Sequence, residues 1–176
     1  MKVKDSPGRK AILIAYCLCR LAWGGCLLRK EERMEELLLQ MIENSPDAVI
    51  VSDREGVIQY WNKGAEHIFR HSGEAAVGQS LDLIIPEKLR ERHWEGYRRV
   101  MASGETKYKT GLLSSPGIRQ DGSRVSLEFS MVLLRDASGA VQGCASIMRD
   151  VTAQWKKEKE LRKRLAACEE AAGTMA

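Results

Sequence analysis

Residues 123–133 read SRVSLEFSMVL, and this stretch decides the fold class of the chain. Apolar and polar side chains alternate along it. Successive side chains of a β-strand point to opposite faces of a sheet, so a period of two predicts a strand with one buried face. The predicted buried face consists of Val125, Leu127, Phe129, Met131 and Leu133.

Turn signals flank this strand on both sides. Asp121 and Gly122 form a strong two-residue hairpin signal before it, and residues 136–139 turn the chain after it. We predict a strand over 106–119, with an irregular Ser-Pro-Gly segment inside it, and a last strand over 141–148. Three strands joined by short turns predict an antiparallel meander.

Two more strands and several short helices precede the meander. The apolar run at 47–52 and the run at 57–61 are separated by the turn signal DREG, which predicts a β-hairpin. Asn62 is placed to cap a helix over 62–70. A short turn or helix is predicted over 72–78, and a brief apolar run over 81–85 ends at Pro86. This order predicts an α+β fold, in which helices group on one face of a five-stranded antiparallel sheet.

The helix predicted over 87–102 carries the most informative residue of the chain. Pro86 suits its first turn, and the Ser-Gly pair at 103–104 ends it. Its apolar stripe places His93 on the side that faces the core, together with Leu89, Tyr97, Val100 and Met101.

Amphipathic helices are predicted on both sides of this domain. Over 29–44, an apolar stripe follows helical spacing, and glutamates fill the other face; the stripe is Met34, Leu37, Leu38, Met41 and Ile42. The charged segment 150–172 fits about three heptads of a coiled coil, although Gln154 and Glu158 interrupt them. Its a and d positions are Val151, Leu161, Leu165, Cys168 and Ala172.

An apolar segment, AILIAYCLCRLAWGGCLL, occupies residues 11–28. Its length is near the minimum for spanning a bilayer, but Arg20 at its centre costs about 3 kcal/mol on insertion scales. We expect 1–28 to be a poorly ordered extension. A weak membrane anchor is the second interpretation, and a cleaved signal peptide is the third.

Composition and charge describe a soluble globular protein of 176 residues. The net charge of +4 arises from 28 basic and 24 acidic residues, which are interleaved along helices as solvated surface. No nucleic-acid-binding motif is present, so no nucleic acid partner is predicted. The five cysteines form no Cys-x-x-Cys pair, which argues against disulfides and zinc and favours a reducing cytoplasm.

Short motifs follow one another in a set order through the predicted domain. They are Asn44-Ser45-Pro46-Asp47-Ala48, Asp53-x-x-Gly56-x-Ile58-x-x-Trp61-Asn62, Gly64-Ala65-Glu66 with Phe69, Gly78, Ile85-Pro86-Glu87, Asp121-Gly122-Ser123, Arg135-Asp136-x-x-Gly139 and Arg149-Asp150-Val151-Thr152. None is specific alone, but their joint spacing over about 110 residues resembles the PAS family of sensor domains.

This resemblance implies a ligand pocket between the sheet and the short helices. Candidates for lining the pocket are Leu89, Tyr97, Met101, Leu112, Leu127, Phe129, Met131 and Ile147. The family also implies flanking helices that dimerise and pass a signal, with Met34, Leu37, Leu38, Met41, Leu161 and Leu165 as dimerisation candidates. In the family, an Asp-x-Thr pair ties the last strand to the outgoing helix, and Asp150 and Thr152 also suit its N-cap.

His93 has two interpretations. The segment from Pro86 to His93 resembles the helix that supplies the axial histidine in haem-binding PAS oxygen sensors, and a neutral imidazole can ligate haem iron. The alternative is a structural histidine of the core. Two departures weaken the haem interpretation: the aromatic that follows the histidine is displaced to Tyr97, with Trp94 added, and neither arginine nor methionine occurs over 111–114.

Other cofactors and chemistries find less support. The cysteine motif of flavin-binding light sensors is absent, and Cys144 is interpreted as a small core residue. His67 and His71 lie four residues apart without a third ligand, so we interpret them as surface histidines. No nucleophile motif, phosphate loop or kinase signature occurs, and the sequence therefore does not predict an enzyme.

The sequence predicts a cytoplasmic sensory module that binds a small ligand or a partner and signals as a homodimer. Its parts are an extension over 1–28, a linker helix over 29–43, a PAS domain over 44–151 and a signalling helix over 152–176. A histidine kinase, a cyclase or a regulator is the expected downstream partner. The alternative function is a haem-based gas or redox sensor in which His93 ligates the iron.

Overall fold

The predicted strands form one antiparallel sheet in the computed structural model, which describes residues 31–106 and 111–173. Their bounds are β1 Ala48–Asp53, β2 Ile58–Trp61, β3 Leu113–Ile118, β4 Arg124–Arg135 and β5 Val141–Asp150. The strands lie side by side in the order β2-β1-β5-β4-β3. The last strand is therefore central, because β1 pairs with one of its edges and β4 with the other.

Strands β3 and β5 illustrate how the bounds differ from the prediction. Regular pairing of β3 begins at Leu113, opposite Phe129, whereas the sequence predicted a strand from residue 106. Residues 104–106, 111 and 112 have no regular structure, and 107–110 lie outside the described residues. Strand β5 continues to Asp150, which pairs with Leu127, because the long neighbour β4 extends the ladder beyond the predicted end.

The longer helices occur where the apolar periodicity predicted them, and shorter ones lie between β2 and Glu87. They are α1 (31–43), α2 (Lys63–Phe69), α3 (Gly73–Ala76), a 3₁₀ turn (Leu81–Leu83), α4 (Glu87–Ser103) and α5 (Thr152–Gly173). The side chain of Asn62 caps α2 by accepting a hydrogen bond from the amide of Ala65. Helix α4 ends at Gly104, whose φ of 66° is left-handed and favours glycine.

The chain divides into two compact units, Met1–Met41 and Ile42–Ala176. In the first, the structure describes residues 31–41, which are helical and exposed. The second contains the sheet and the helices from α2 to α5. The prediction for 11–28 lies outside the described residues. Within 31–106 and 111–173, no helix has both the length and the apolar character needed to cross a bilayer.

The core lies between one face of the sheet and the short helices. Ile50, Ile58, Phe69 and Val125 are its largest fully buried apolar side chains. The alternation that predicted β4 is confirmed, since Val125 and Leu127 are buried and the remaining apolar side chains of that face pack against the core; these are Phe129, Met131 and Leu133. Val132, on the opposite face, is exposed. The predicted α+β fold is therefore confirmed.

Candidate functional site: helix α4 and the two ends of the domain

Helix α4 presents three aromatic rings that contact one another. The ring centroids of His93 and Trp94 are 5.1 Å apart at 80°. Those of His93 and Tyr97 are 5.7 Å apart. The centroids of Trp94 and Tyr97 are 5.5 Å apart, so the imidazole of His93 and the two other rings form one aromatic cluster.

Tyr97 anchors α4 to the end of β1. It is buried, and its hydroxyl donates a short hydrogen bond to the backbone oxygen of Asp53. Because the phenol has one proton, the hydroxyl of Ser52, 2.9 Å away, donates to the Tyr97 oxygen. Burial raises the pKa of Tyr97 to about 12, so the phenol remains protonated and keeps this anchor at neutral pH.

Trp94 docks α4 against the turn between β1 and β2. Its Nε1 donates to Oδ1 of Asp82 at 2.8 Å. Its ring lies against Gly56, where a Cβ atom would come within 2.3 Å of the ring. Gly56 also has a φ of 79°, in the left-handed region that residues other than glycine rarely adopt. The tryptophan that the sequence marked as a departure from oxygen sensors thus has a packing role.

His93 provides a neutral imidazole without a partner for one nitrogen. Burial lowers the pKa of His93, and the negative charge of Asp82 only partly opposes this. Among the described residues, its buried Nδ1 has no hydrogen-bond partner. A histidine that ligates a metal almost always donates its other N–H to a carboxylate, a carbonyl or a water. In the part of the chain that the structure describes, no carboxylate or carbonyl therefore orients the imidazole of His93 through Nδ1.

Five of the eight predicted pocket residues lie in the core or pack against it: Tyr97, Met101 and Leu127 are buried, and Phe129 and Met131 are partly buried. Leu89 is partly buried on α4. Leu112 and Ile147 are instead 72% and 50% exposed, which corrects their prediction as lining residues.

The register of β5 explains the position of Ile147. It pairs with Val49 and Ser130 on the outer side of the sheet, while its neighbour Met148 is buried on the inner side. Because β5 contains several small residues, its sequence shows no clear alternation of apolar and polar side chains, and the orientation of Ile147 could not be predicted from it. Leu112 precedes the first paired residue of β3, so among the described strands none pairs with it.

The predicted dimerisation residues are all exposed in the described chain. Met34, Leu37, Leu38 and Met41 are exposed along α1, as are Leu161 and Leu165 along α5. Trp155, which sequence analysis did not select, is also exposed on α5, and the ammonium group of Lys159 lies 4.9 Å from its ring centroid. The side chains of Cys168 and Ala172 lie outside the described residues.

Hydrogen bonds and ion pairs secure the two ends of the domain. Some of the residues that form them were assigned other roles in the sequence analysis, and others were not selected there. We use the name lead-in segment for residues 42–49, which run from the last turn of α1 into β1. The carboxamide of Asn62 is fully buried and binds this segment. Its Oδ1 accepts from the amide of Val49 at 2.8 Å, and its Nδ2 donates to the carbonyls of Ile42 at 2.8 Å and Asp47 at 3.1 Å.

The outgoing junction, residues 149–152, is held by the Asp-x-Thr pair that the family resemblance predicted. Oδ1 of Asp150 accepts from the amide of Thr152 at 2.8 Å, and Oγ1 of Thr152 accepts from the amide of Ser126 at 2.9 Å. Oδ2 of Asp150 accepts from Nη2 of Arg119 at 2.7 Å. Burial raises the pKa of Asp150, but the Thr152 hydrogen bonds and the Arg119 charge outweigh it and leave the pKa below its usual range.

A cleft of about 810 Å³ separates α2 from the beginning of α5. From α2 and its C-cap, His67, Ile68 and Arg70 line it, and from the end of β5 and the start of α5 the lining residues are Arg149, Asp150, Thr152, Ala153 and Lys156. An ion pair between Arg149 and Asp47, with nitrogen–oxygen distances of 2.9 and 2.6 Å, joins the outgoing junction to the lead-in segment.

His67 is exposed, and the described residues contain no group of three His, Cys, Asp or Glu side chains that could hold a metal.

The arrangement of the sheet, the short helices and the Asp-x-Thr junction is that of a sensor domain. The family described as PAS fold matches residues 42–155, which is more than half of the chain. The chain therefore belongs to the PAS family.

Two curated proteins and one solved structure show the range of relatives. The sensor protein FixL of Bradyrhizobium diazoefficiens is 27% identical over 137 residues, covering 78% of this chain and 26% of FixL. The oxygen sensor protein DosP of Escherichia coli is 24% identical over 125 residues, covering 71% of this chain and 15% of DosP. A PAS domain from Colwellia psychrerythraea superposes with a TM-score of 0.60 at 22% identity, covering 68% of this chain and 98% of that one. The chain thus spans about a quarter or less of these two curated relatives.

Proposed function

We propose that this chain is a cytoplasmic sensory PAS module that signals through dimerisation of its flanking helices. The exposed apolar stripe of α1 carries this proposal, because leucine and methionine side chains of an amphipathic helix are stable in water mainly when another surface covers them. Leu161 and Leu165 of α5 offer a second apolar contact. The role is regulatory, and the output belongs to a kinase, a cyclase or a regulator that receives the movement of α5.

The proposed ligand is a small, mainly apolar molecule bound at the inner face of the sheet. Phe129, Met131 and Leu133 are only partly covered there. His93 adds one neutral imidazole with an unpartnered nitrogen. An apolar ligand with a single polar group would cover Phe129, Met131 and Leu133, and the imidazole of His93 would orient its polar group. Mass spectrometry of the natively purified protein identifies such a ligand directly.

We expect the full chain to sediment as a dimer at tens of micromolar and the double variant Leu37→Glu, Leu38→Glu to sediment as a monomer. Two charges on the apolar stripe of α1 would have to be buried in the dimer, so the dissociation constant should rise by about tenfold or more. Val77→Glu is the matched control, because Val77 is exposed to a similar degree outside the flanking helices. A wild-type chain that is monomeric at high micromolar concentration would refute dimerisation.

Similarity to an oxygen sensor makes haem binding the competing function, with His93 as the axial ligand. Because Nδ1 of His93 has no partner to orient the ring, we expect no Soret band that depends on His93 after reconstitution with haem. The measurement compares absorption spectra of the wild type, His93→Ala and the control His71→Ala. A Soret band that disappears only in His93→Ala would establish haem ligation and overturn this expectation.

A further inference from the structure

Helix α2 is hydrogen-bonded to both ends of the domain. At its N-cap, Asn62 holds the lead-in segment through the contacts given above. At its C-terminal turn, the carbonyl of Ile68 accepts a hydrogen bond of 2.9 Å from Nε of Arg119. The same guanidinium donates to Asp150 at the outgoing junction. One helix of seven residues therefore joins the segment that enters the sheet to the segment that leaves it.

Arg119 is held in place more firmly than the other arginines that form ion pairs. Its side chain is only 14% exposed, whereas that of Arg149 is 69% exposed. Its third hydrogen bond reaches the carbonyl of Arg124 at 3.0 Å. A charge-assisted pair that is partly buried and fixed by further hydrogen bonds is stronger than an exposed pair, which contributes little. Of the two ion pairs at the outgoing junction, the one through Arg119 is thus stronger than the exposed pair of Arg149 with Asp47, and it acts beside the pairing of β1 with β5.

The lead-in segment cannot slide along α2 without moving it. A Cβ atom at Gly64 would come within 2.2 Å of the Asp47 carbonyl oxygen and 2.6 Å of the Ser45 carbonyl oxygen. The backbones of helix and segment are therefore in direct contact, and Asn62 binds the same stretch of backbone. A displacement of residues 42–49 therefore acts on the first turn of α2, and the backbone hydrogen bonds from Glu66 to Asn62 and from Arg70 to Glu66 connect this turn to the end of the helix.

We propose that α2 and Arg119 couple the lead-in segment to the start of α5, so that displacement at one end of the domain changes the stability of the other. This coupling goes beyond the proposed sensory function, because it needs neither a bound ligand nor a dimer. It would let the module relay movement between neighbouring segments of a longer protein. Coupling of this kind acts equally in both directions. A change confined to the outgoing junction must therefore loosen the lead-in segment.

Asp150→Asn in the full chain tests this reciprocity by amide hydrogen exchange. Asparagine keeps an oxygen for the Thr152 amide but can turn an NH₂ group toward Arg119, which breaks the contact with α2. The amides of Val49 and Ala65, which both donate to Asn62, should exchange about fivefold faster or more relative to the β4–β5 ladder. Asp121→Asn is the matched control, because it breaks the exposed ion pair of Asp121 with Arg70 and should leave both amides unchanged.

A second variant separates this route from the strands. In an Arg119→Lys background, Asp150→Asn should change exchange at Ala65 by less than about twofold, because the connecting guanidinium is already lost. Acceleration confined to Thr152 and Trp155, or an equal acceleration of the ladder amides, would overturn the proposal. So would an undiminished effect in the Arg119→Lys background. Sedimentation of the same samples reports dimerisation separately, so failure of one proposal is distinguishable from failure of the other.

Discussion

Replacing Asn62 with alanine should lower the free energy of unfolding by about 3–5 kcal/mol. The variant leaves the amides of Val49 and Ala65 without the oxygen that accepts from them at 2.8 and 2.9 Å. Each unpaired polar group in a buried position costs about 1–3 kcal/mol. The carbonyls of Ile42 and Asp47 lose their donor in the same step. Equilibrium unfolding in urea, followed by circular dichroism, measures the change.

Gln59→Ala is the control for this prediction. Gln59 also carries a carboxamide, but it is exposed and donates one hydrogen bond to Asp53 at 2.7 Å. The Gln59→Ala variant should change the free energy of unfolding by about 0.5 kcal/mol or less, because water can donate to Asp53 in place of the lost carboxamide. A loss for Asn62→Ala below about 1 kcal/mol would show that the lead-in segment does not depend on Asn62.

Replacing Gly64 with alanine should destabilise the domain by about 3 kcal/mol. The new methyl group would lie 2.2 Å from the carbonyl oxygen of Asp47, far inside van der Waals contact. That oxygen belongs to backbone that Asn62 holds, so it cannot withdraw without breaking hydrogen bonds. The intrinsic preference of helices for alanine over glycine, about 0.5–1 kcal/mol, is too small to compensate. Thermal and urea unfolding of the variant test this.

Gly96→Ala makes the same chemical change where the structure has room. Gly96 lies within α4, and a Cβ atom there meets nothing within 4 Å. The variant should therefore stabilise the protein by about 0.5–1 kcal/mol, opposite in sign to Gly64→Ala. Equal effects at the two positions would mean that helix propensity, and not the close backbone approach at α2, governs both.

The α4 region shows how far periodicity could define the candidate site. The apolar stripe predicted an inward face with Leu89, His93, Tyr97 and Met101, and the structure buries the last two. Leu89 and His93 remain partly exposed. Periodicity defines one side of a helix but not which of its turns approaches the sheet. That choice follows from contacts outside the helix, above all the hydrogen bond of Tyr97 with Ser52.

Sequence by itself determined the elements of this protein and their order. The alternation along β4, the glycine turns and the Asn62 cap each act within a few residues, so local steric and hydrogen-bonding preferences are enough to define them. Only the tertiary structure decided that Arg119 meets Ile68 and Asp150, that Asn62 reaches back to Ile42, and that Ile147 faces outward. These contacts depend on strand order and register, which arise when the whole sheet packs on its helices, and no short stretch of chain encodes them.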